Sequence, residues 1–166
     1  MTLALEPARR SEHPVDVVER LAHSLEWRFE RDDEDELSFS VDGGWTSYHL
    51  AFTWLPDLEA LHMACAFDLK VPKDRQGEVL ALLALINEQL WLGHFDVWTK
   101  DKVIMFRQAL MLTGGISPNA HQCEAAVTHA VTACERYYQA FQFVVWAGKN
   151  AREALDGAMF ETEGHA

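Results

Sequence analysis

Any chemistry in this 166-residue chain has to come from a few histidines, cysteines and charged pairs, and their spacing decides what they can do. The stretch TSYHLAFTWLPDLEALHMACAF, residues 46–67, carries His49, His62 and Cys65. It reads as two strands joined by an LPDLE turn. Matching their apolar faces sets Trp54 opposite Leu61, Phe52 opposite Met63 and Leu50 opposite Cys65. His49 then lies opposite Ala66 and His62 opposite Thr53, about 13 Å apart along the ladder. Cys65 points to the other face. Zinc needs its ligand atoms about 2.0–2.3 Å from one centre, so these three side chains do not share an ion. Neither a metal nor any other cofactor is expected.

A second candidate is the hairpin HFDVW…VIMFRQALML, turning around Lys100 and Asp101. With Trp98 facing Val103, Asp96 faces Met105 and Arg107 lies across from His94, so His94, Asp96 and Arg107 share one face. A His–Asp pair can orient a proton shuttle. As a small-molecule site, sensory or enzymatic, it requires a concave pocket and a perturbed histidine. The competing role for His94 is a hydrogen bond at the end of the preceding helix. No serine or cysteine nearby has a nucleophile's context, and no catalytic residue is assigned.

The remaining candidates read as structure. His121, Glu124, His129 and Glu135 share one long helix without HExxH spacing and fit a solvated face. Cys123 and Cys134 are eleven residues apart on that helix, about 16 Å, and fit two small buried side chains. DGG and TGG open neither GxGxxG nor GxxxxGK[ST], so they are turns rather than phosphate loops. Trp45, Trp54, Trp91, Trp98 and Trp146 lie near element ends or on strands, and suit either rim packing or anchoring a partner.

These residues must be positioned by an α+β scaffold. Pro14 suits a helix first turn, and Val15, Val18, Leu21 and Leu25 recur at helical spacing. EWRFE fits a short strand and RDDEDE a solvated acidic loop. LSFSV and TSYHLAFTW form a hairpin if Gly43 and Gly44 are its turn, which sets Phe39 opposite Tyr48 and Leu37 opposite Leu50. A helix apolar on most sides follows, EVLALLALINEQLW, then the second hairpin. A last helix runs from Pro118 to about Ala147, about 45 Å long. Its end, YYQAFQFVVW, is expected to overhang the sheet, which makes Tyr137, Tyr138, Phe141 and Trp146, with Trp98, the candidate protein-binding residues. The expected sheet is antiparallel, of about five strands, with helices packed on one face. Residues 1–13 read as a flexible N-terminal tail, 14–147 as one domain, and 148–166 as a C-terminal tail with room for a short helix.

Composition narrows the function. Twenty-six acidic against 14 basic residues give a net charge of −12, which disfavours nucleic acid and anionic membranes as partners. Three cysteines make no disulfide framework. MTLALEPARRSEHP is no signal peptide, and no run reaches membrane-spanning length. A cytoplasmic chain is expected.

NEQLWLGHFDVWTKDKVIMFRQALML, residues 87–112, together with the long helix after GGISP, resembles the YbjN family of bacterial proteins, described as sensory transduction regulators. The order of elements resembles the type III secretion chaperone-like fold, and the likeness spans residues 14–147. It implies a homodimeric, non-enzymatic module that binds an unidentified protein partner. It brings no functional residue with it, because the family has no established active site.

Overall fold

The computed structural model describes residues 8–164. Six strands form one antiparallel sheet: β1 (Phe29–Asp33), β2 (Glu36–Asp42), β3 (Ser47–Leu55), β4 (Ala60–Lys70), β5 (His94–Trp98) and β6 (Val103–Met111). Their order is β1-β2-β3-β4-β6-β5, so β6 inserts between β4 and the hairpin partner β5. Four helices accompany them: α1 (Pro14–Ser24), α2 (Gln76–Asn87), α3 (Ala120–Val145) and α4 (Ala151–Gly164). The strand alternation puts Leu37, Phe39, Leu50, Phe52, Leu61, Met63, Cys65 and Phe67 on one buried face. The helices cover that face, and the other face stays open. Among the described residues no helix is long and apolar enough to cross a membrane.

The β3–β4 register is the expected one, with Trp54↔Leu61, Phe52↔Met63, Leu50↔Cys65, His49↔Ala66 and Thr53↔His62. The β5–β6 register also agrees, with His94↔Arg107, Asp96↔Met105 and Trp98↔Val103. The β2–β3 register does not. Leu37 pairs with Phe52, Phe39 with Leu50 and Asp42 with Ser47. Residues 43–46 form the turn, closed by Gly43 N–H to Thr46 O at 2.9 Å. The shift is by two residues, so every apolar side chain keeps its face and periodicity alone does not distinguish the two pairings. Gly43 serves close approach here: a Cβ on it would stand 2.3 Å from Tyr48 Cε2.

Three details refine the expected layout. The sheet has six strands, because β1 takes in Arg31, Asp32 and Asp33 from the acidic run and leaves only the turn to Glu34 and Asp35. The part of the N-terminal tail that is described, from Ala8 onward, is held. Arg10 donates to Leu112 O at 3.0 Å, pairs with Glu59 at 2.8 Å, also reaches Ile116 O, and lies 4.5 Å over the Trp54 ring. Residues 1–7 lie outside the described residues. The segment after 147 contains a 14-residue helix, α4, which packs on α2 and α3 through buried Ala151, Ala154, Leu155 and Ala158. Glu78 Oε2 accepts from Ala151 N at 2.8 Å, fixing the start of that helix.

α3 begins at a capping box. Asn119 Oδ1 accepts from Gln122 N at 2.8 Å, and Gln122 Oε1 accepts from Asn119 N at 2.9 Å, an arrangement that stabilises a helix start by about 1 kcal/mol. Its 26 residues run about 39 Å over β4 and β6. Glu135, near its middle, accepts from the Tyr48 hydroxyl at 2.9 Å and from Gly44 N–H, which ties the helix to the β2–β3 turn.

Candidate functional site

The open face carries a polar cluster where β4, β6 and β5 lie side by side. Ala64 pairs with Arg107 on one side of β6, and His94 pairs with it on the other. Arg107 Nη1 donates to Asp96 Oδ2 at 3.1 Å, and its Nε donates to His62 Nε2 at 3.1 Å. His62 is therefore the neutral tautomer with its proton on Nδ1. Burial, then the charge of Arg107 and the neighbouring His94, hold its pKa below the ordinary value. The cluster lines a concavity of about 550 Å³ that includes Ala51, Ala64, Met105, Leu55 and Trp98. So His94, Asp96 and Arg107 are brought together as expected, and His62 is the member that sequence reasoning missed. Its inclusion depends on β4 pairing with β6, two strands far apart in the chain, and local periodicity carries no signal for that.

The arrangement spends its polar groups on itself. Arg107 and Asp96 are both about half exposed, at 40% and 46%, and such an ion pair contributes about 0–1 kcal/mol. No thiol supplies a nucleophile here. Cys65, Cys123 and Cys134 are all buried. Burial pushes the Cys123 thiol up to about 11. The hydrogen bond to Cys65 at 3.8 Å, and then burial, raise that of Cys134, so both stay protonated and inert near neutral pH.

The other candidates are distributed. His49 contacts Ser40 Oγ at 2.9 Å and lies 3.6 Å from Asp68, apart from His62. His129 contacts Leu92 O at 3.2 Å, and His121 and Glu124 are exposed on α3. Among the described residues, no group of three or more His, Cys, Asp or Glu is placed to hold a metal ion.

The five candidate protein-binding residues divide. Trp98 and Trp146 are exposed, at 55% and 66%. Tyr137, Tyr138 and Phe141 are not surface residues, and the expectation that they meet a partner is corrected. They stack into the core, with Phe67–Tyr138 ring centroids 5.3 Å apart, Phe67–Phe141 5.8 Å, Phe95–Tyr137 5.8 Å and Phe95–Phe141 5.4 Å. They are buried because this part of α3 packs against Phe67 and Phe95 of the sheet and α4 folds back against the helix.

The largely apolar opening lies at the other end of α3. A groove of about 480 Å³ runs between its first turns and β6, lined by Phe52, Leu61, Met63, Leu110, Cys123 and Ala126, with Leu92 and His129 at its mouth. Leu92 and Met111 are exposed, as are Trp91 and Ile116 nearby in the chain.

An antiparallel sheet with helices on one face and a long C-terminal helix is the type III secretion chaperone-like fold. Three solved structures share it. A HopA1–SchA chaperone–effector complex chain matches with TM-score 0.50 and 14% identity, over 71% of this chain and 86% of that one. A chain of the ExsC–ExsE complex matches with TM-score 0.54 and 19% identity, over 72% and 90%. The crystal structure of YbjN from E. coli matches with TM-score 0.52 and 12% identity, over 79% and 87%. No curated protein sequence matches the chain. Residues 14–143 match the family model YbjN, "Putative bacterial sensory transduction regulator", and the chain belongs to that family.

Proposed function

We propose that this chain is a non-enzymatic protein-binding module, chaperone-like or regulatory, that works in the cytoplasm of a bacterium as a homodimer. The observation that carries the reading is the open, largely apolar groove between α3 and β6, with Leu92 at its mouth and Trp91, Met111 and Ile116 exposed nearby. Such surface in a water-soluble domain is a mark of an interaction site. The fold neighbours support the reading, since one of them was solved as a chaperone–effector complex.

The test is capture of partners on the tagged full chain from its native lysate, with light scattering for its own mass. A stoichiometric protein partner and a dimer mass are the expected results. A clean chain without any protein partner counts against the reading. The second reading is a small-molecule site on the face with His94, Asp96 and Arg107, favoured by the concavity that Asp96 and Arg107 line together with His62. It expects the His94 ring signals to move when candidate metabolites are added, and unmoved signals count against it.

A further inference from the structure

The described residues begin at Ala8, beside the loop that joins β6 to α3, and three contacts hold them there. Ser117 Oγ donates to Glu12 O at 2.7 Å, Arg10 Nη1 donates to Leu112 O at 3.0 Å, and Ala8 lies against Gly115. Gly115 adopts φ 77°, and a Cβ on it would stand 2.9 Å from both Cβ and O of Ala8. Only glycine lets the two segments pass this closely. From Glu12 back to Ala8 the contacts step from Ser117 to Gly115. Followed towards residue 1, the chain therefore runs back along the loop, towards the end of β6.

That end of β6 is a wall of the groove under α3. Trp54, Leu61 and Leu110 stand side by side on β3, β4 and β6, and the Arg10 guanidinium lies 4.5 Å over the Trp54 ring. Leu110 is two strand spacings from Trp54, about 10 Å. The segment before Ala8 is MTLALEP, residues 1–7, with an extended reach of about 23 Å. The groove end lined by Leu61, Leu110, Gln122 and Cys123 is within that reach. Gln108 Nε2 donates to Ala126 O at 3.0 Å and crosses the groove between this end and the His129 end. Met1, Leu3 and Leu5 alternate with Thr2 and Ala4, so in an extended chain the three large apolar side chains fall on one side.

We propose that residues 1–5 dock at this end of the groove, with Leu3 and Leu5 against Leu61, Leu110 and Cys123, and so occlude the binding surface of their own chain until a partner displaces them. The occlusion rests on the protein-binding reading above; the docking does not. The tether favours this occupant. A segment anchored at Ala8 and Arg10 is held near the groove at an effective concentration on the order of millimolar. A partner at about micromolar concentration must bind roughly a thousandfold more tightly to displace it. A second copy of this chain is the poorer occupant. A two-fold interface joins a patch to itself, and a concave groove is not its own complement. A copy also brings the same charge of −12, whereas the segment carries one acidic residue, Glu6.

A nitroxide label on Thr2→Cys of the full chain tests the docking, since the three natural cysteines are buried and leave the label one site. The amide signals of Leu110, Gln122 and Cys123 are expected to broaden at least threefold more than that of Trp98 on the open face. Adding Leu3→Asp and Leu5→Asp is expected to halve that broadening at least, with the fold confirmed by circular dichroism, and to raise binding of the apolar dye anilinonaphthalene sulfonate at least threefold. Equal broadening with and without the two aspartates would mean that the segment only passes nearby, and overturns the docking. Broadening of an unlabelled, isotope-enriched chain mixed with the labelled one assigns the groove to a second copy, and overturns it as well. Partner capture from lysate is expected to rise at least threefold in Leu3→Asp/Leu5→Asp; unchanged capture overturns the occlusion. Failure of the protein-binding reading shows separately: neither chain then captures a partner, which removes the occlusion and leaves the docking to stand on the label.

Discussion

The two halves of α3 lie on the same sheet and bury the same kind of stripe, yet one is filled and the other is not. In the C-terminal half, Tyr137, Tyr138 and Phe141 meet Phe67 and Phe95 ring against ring. In the N-terminal half, Cys123 and Ala126 face Phe52, Leu61, Met63 and Leu110 across an open groove. The rings fill the space between helix and sheet at one end. At the other end the α3 side chains that face the sheet are small, and Gln108 Nε2 donates to Ala126 O at 3.0 Å across the groove. Apolarity alone therefore does not say what a helix stripe does. Side-chain volume decides which part becomes filled core and which part leaves a groove.

The largest effect expected from breaking this arrangement is at Phe141, which is fully buried. Phe141→Ala should cost about 3–5 kcal/mol, as for other buried phenylalanines, read from urea unfolding. Cys123→Ala, at the groove, should cost roughly 0.5–1.5 kcal/mol, the range for a small deletion. Equal costs would mean that the two halves are packed alike. Next in size is the clamp between the halves. Tyr48→Phe removes the hydroxyl that donates to Glu135, and the loss of a hydrogen bond to a charged group should cost about 1.5 kcal/mol. A negligible loss would show that the rings alone set the position of α3.

The sequence made some of this readable and concealed the rest for physical reasons. Strand faces followed from period-two patterning, and the β3–β4 and β5–β6 registers followed from matching those faces across short turns. The β2–β3 register was concealed because a two-residue slip preserves both faces. The pairing of β4 with β6, which brings His62 to Arg107, joins segments separated by all of α2 and β5. The C-terminal part of α3 was expected to overhang the sheet, but Tyr137, Tyr138 and Phe141 are buried. YYQAFQFVVW carries the bulk that looks like an anchor, but bulk on a covered face is core, and the opening appears where the stripe turns to alanine and cysteine.

A third effect contrasts the covered face with the open one and is confined to mildly acid pH. His62 is neutral in the fold, and its pKa is depressed below the ordinary 6.5 by burial and by Arg107. The unfolded chain therefore binds more protons below about pH 6.5. The stability contributed by neutral His62 is complete above that pH and declines as the pH falls towards the depressed folded pKa. His62→Gln should flatten the fall in unfolding free energy as the pH drops below about 6.5. An unchanged slope would mean that the Arg107–His62 contact does not persist in solution.

The smallest effect on stability, and the sharpest contrast with Phe141, is expected at Trp98 and Trp146. Both are large and aromatic, but both are more than half exposed, so their replacement by alanine returns little apolar surface to water. Each should change stability by no more than about 0.5 kcal/mol, against the several expected for Phe141. Trp98 stands on the open face beside the Asp96–Arg107 pair, and Trp146 caps α3 with its backbone N–H donating to Gln142 O at 2.8 Å, a bond that alanine keeps. If Trp146→Ala instead costs as much as Phe141→Ala, the helix end is part of the core after all. If both variants fold normally and only Trp98→Ala weakens partner capture, the open face extends the binding surface beyond the groove. If neither variant affects capture, binding is confined to the alanine-rich half of α3, where the covered face was left unfilled.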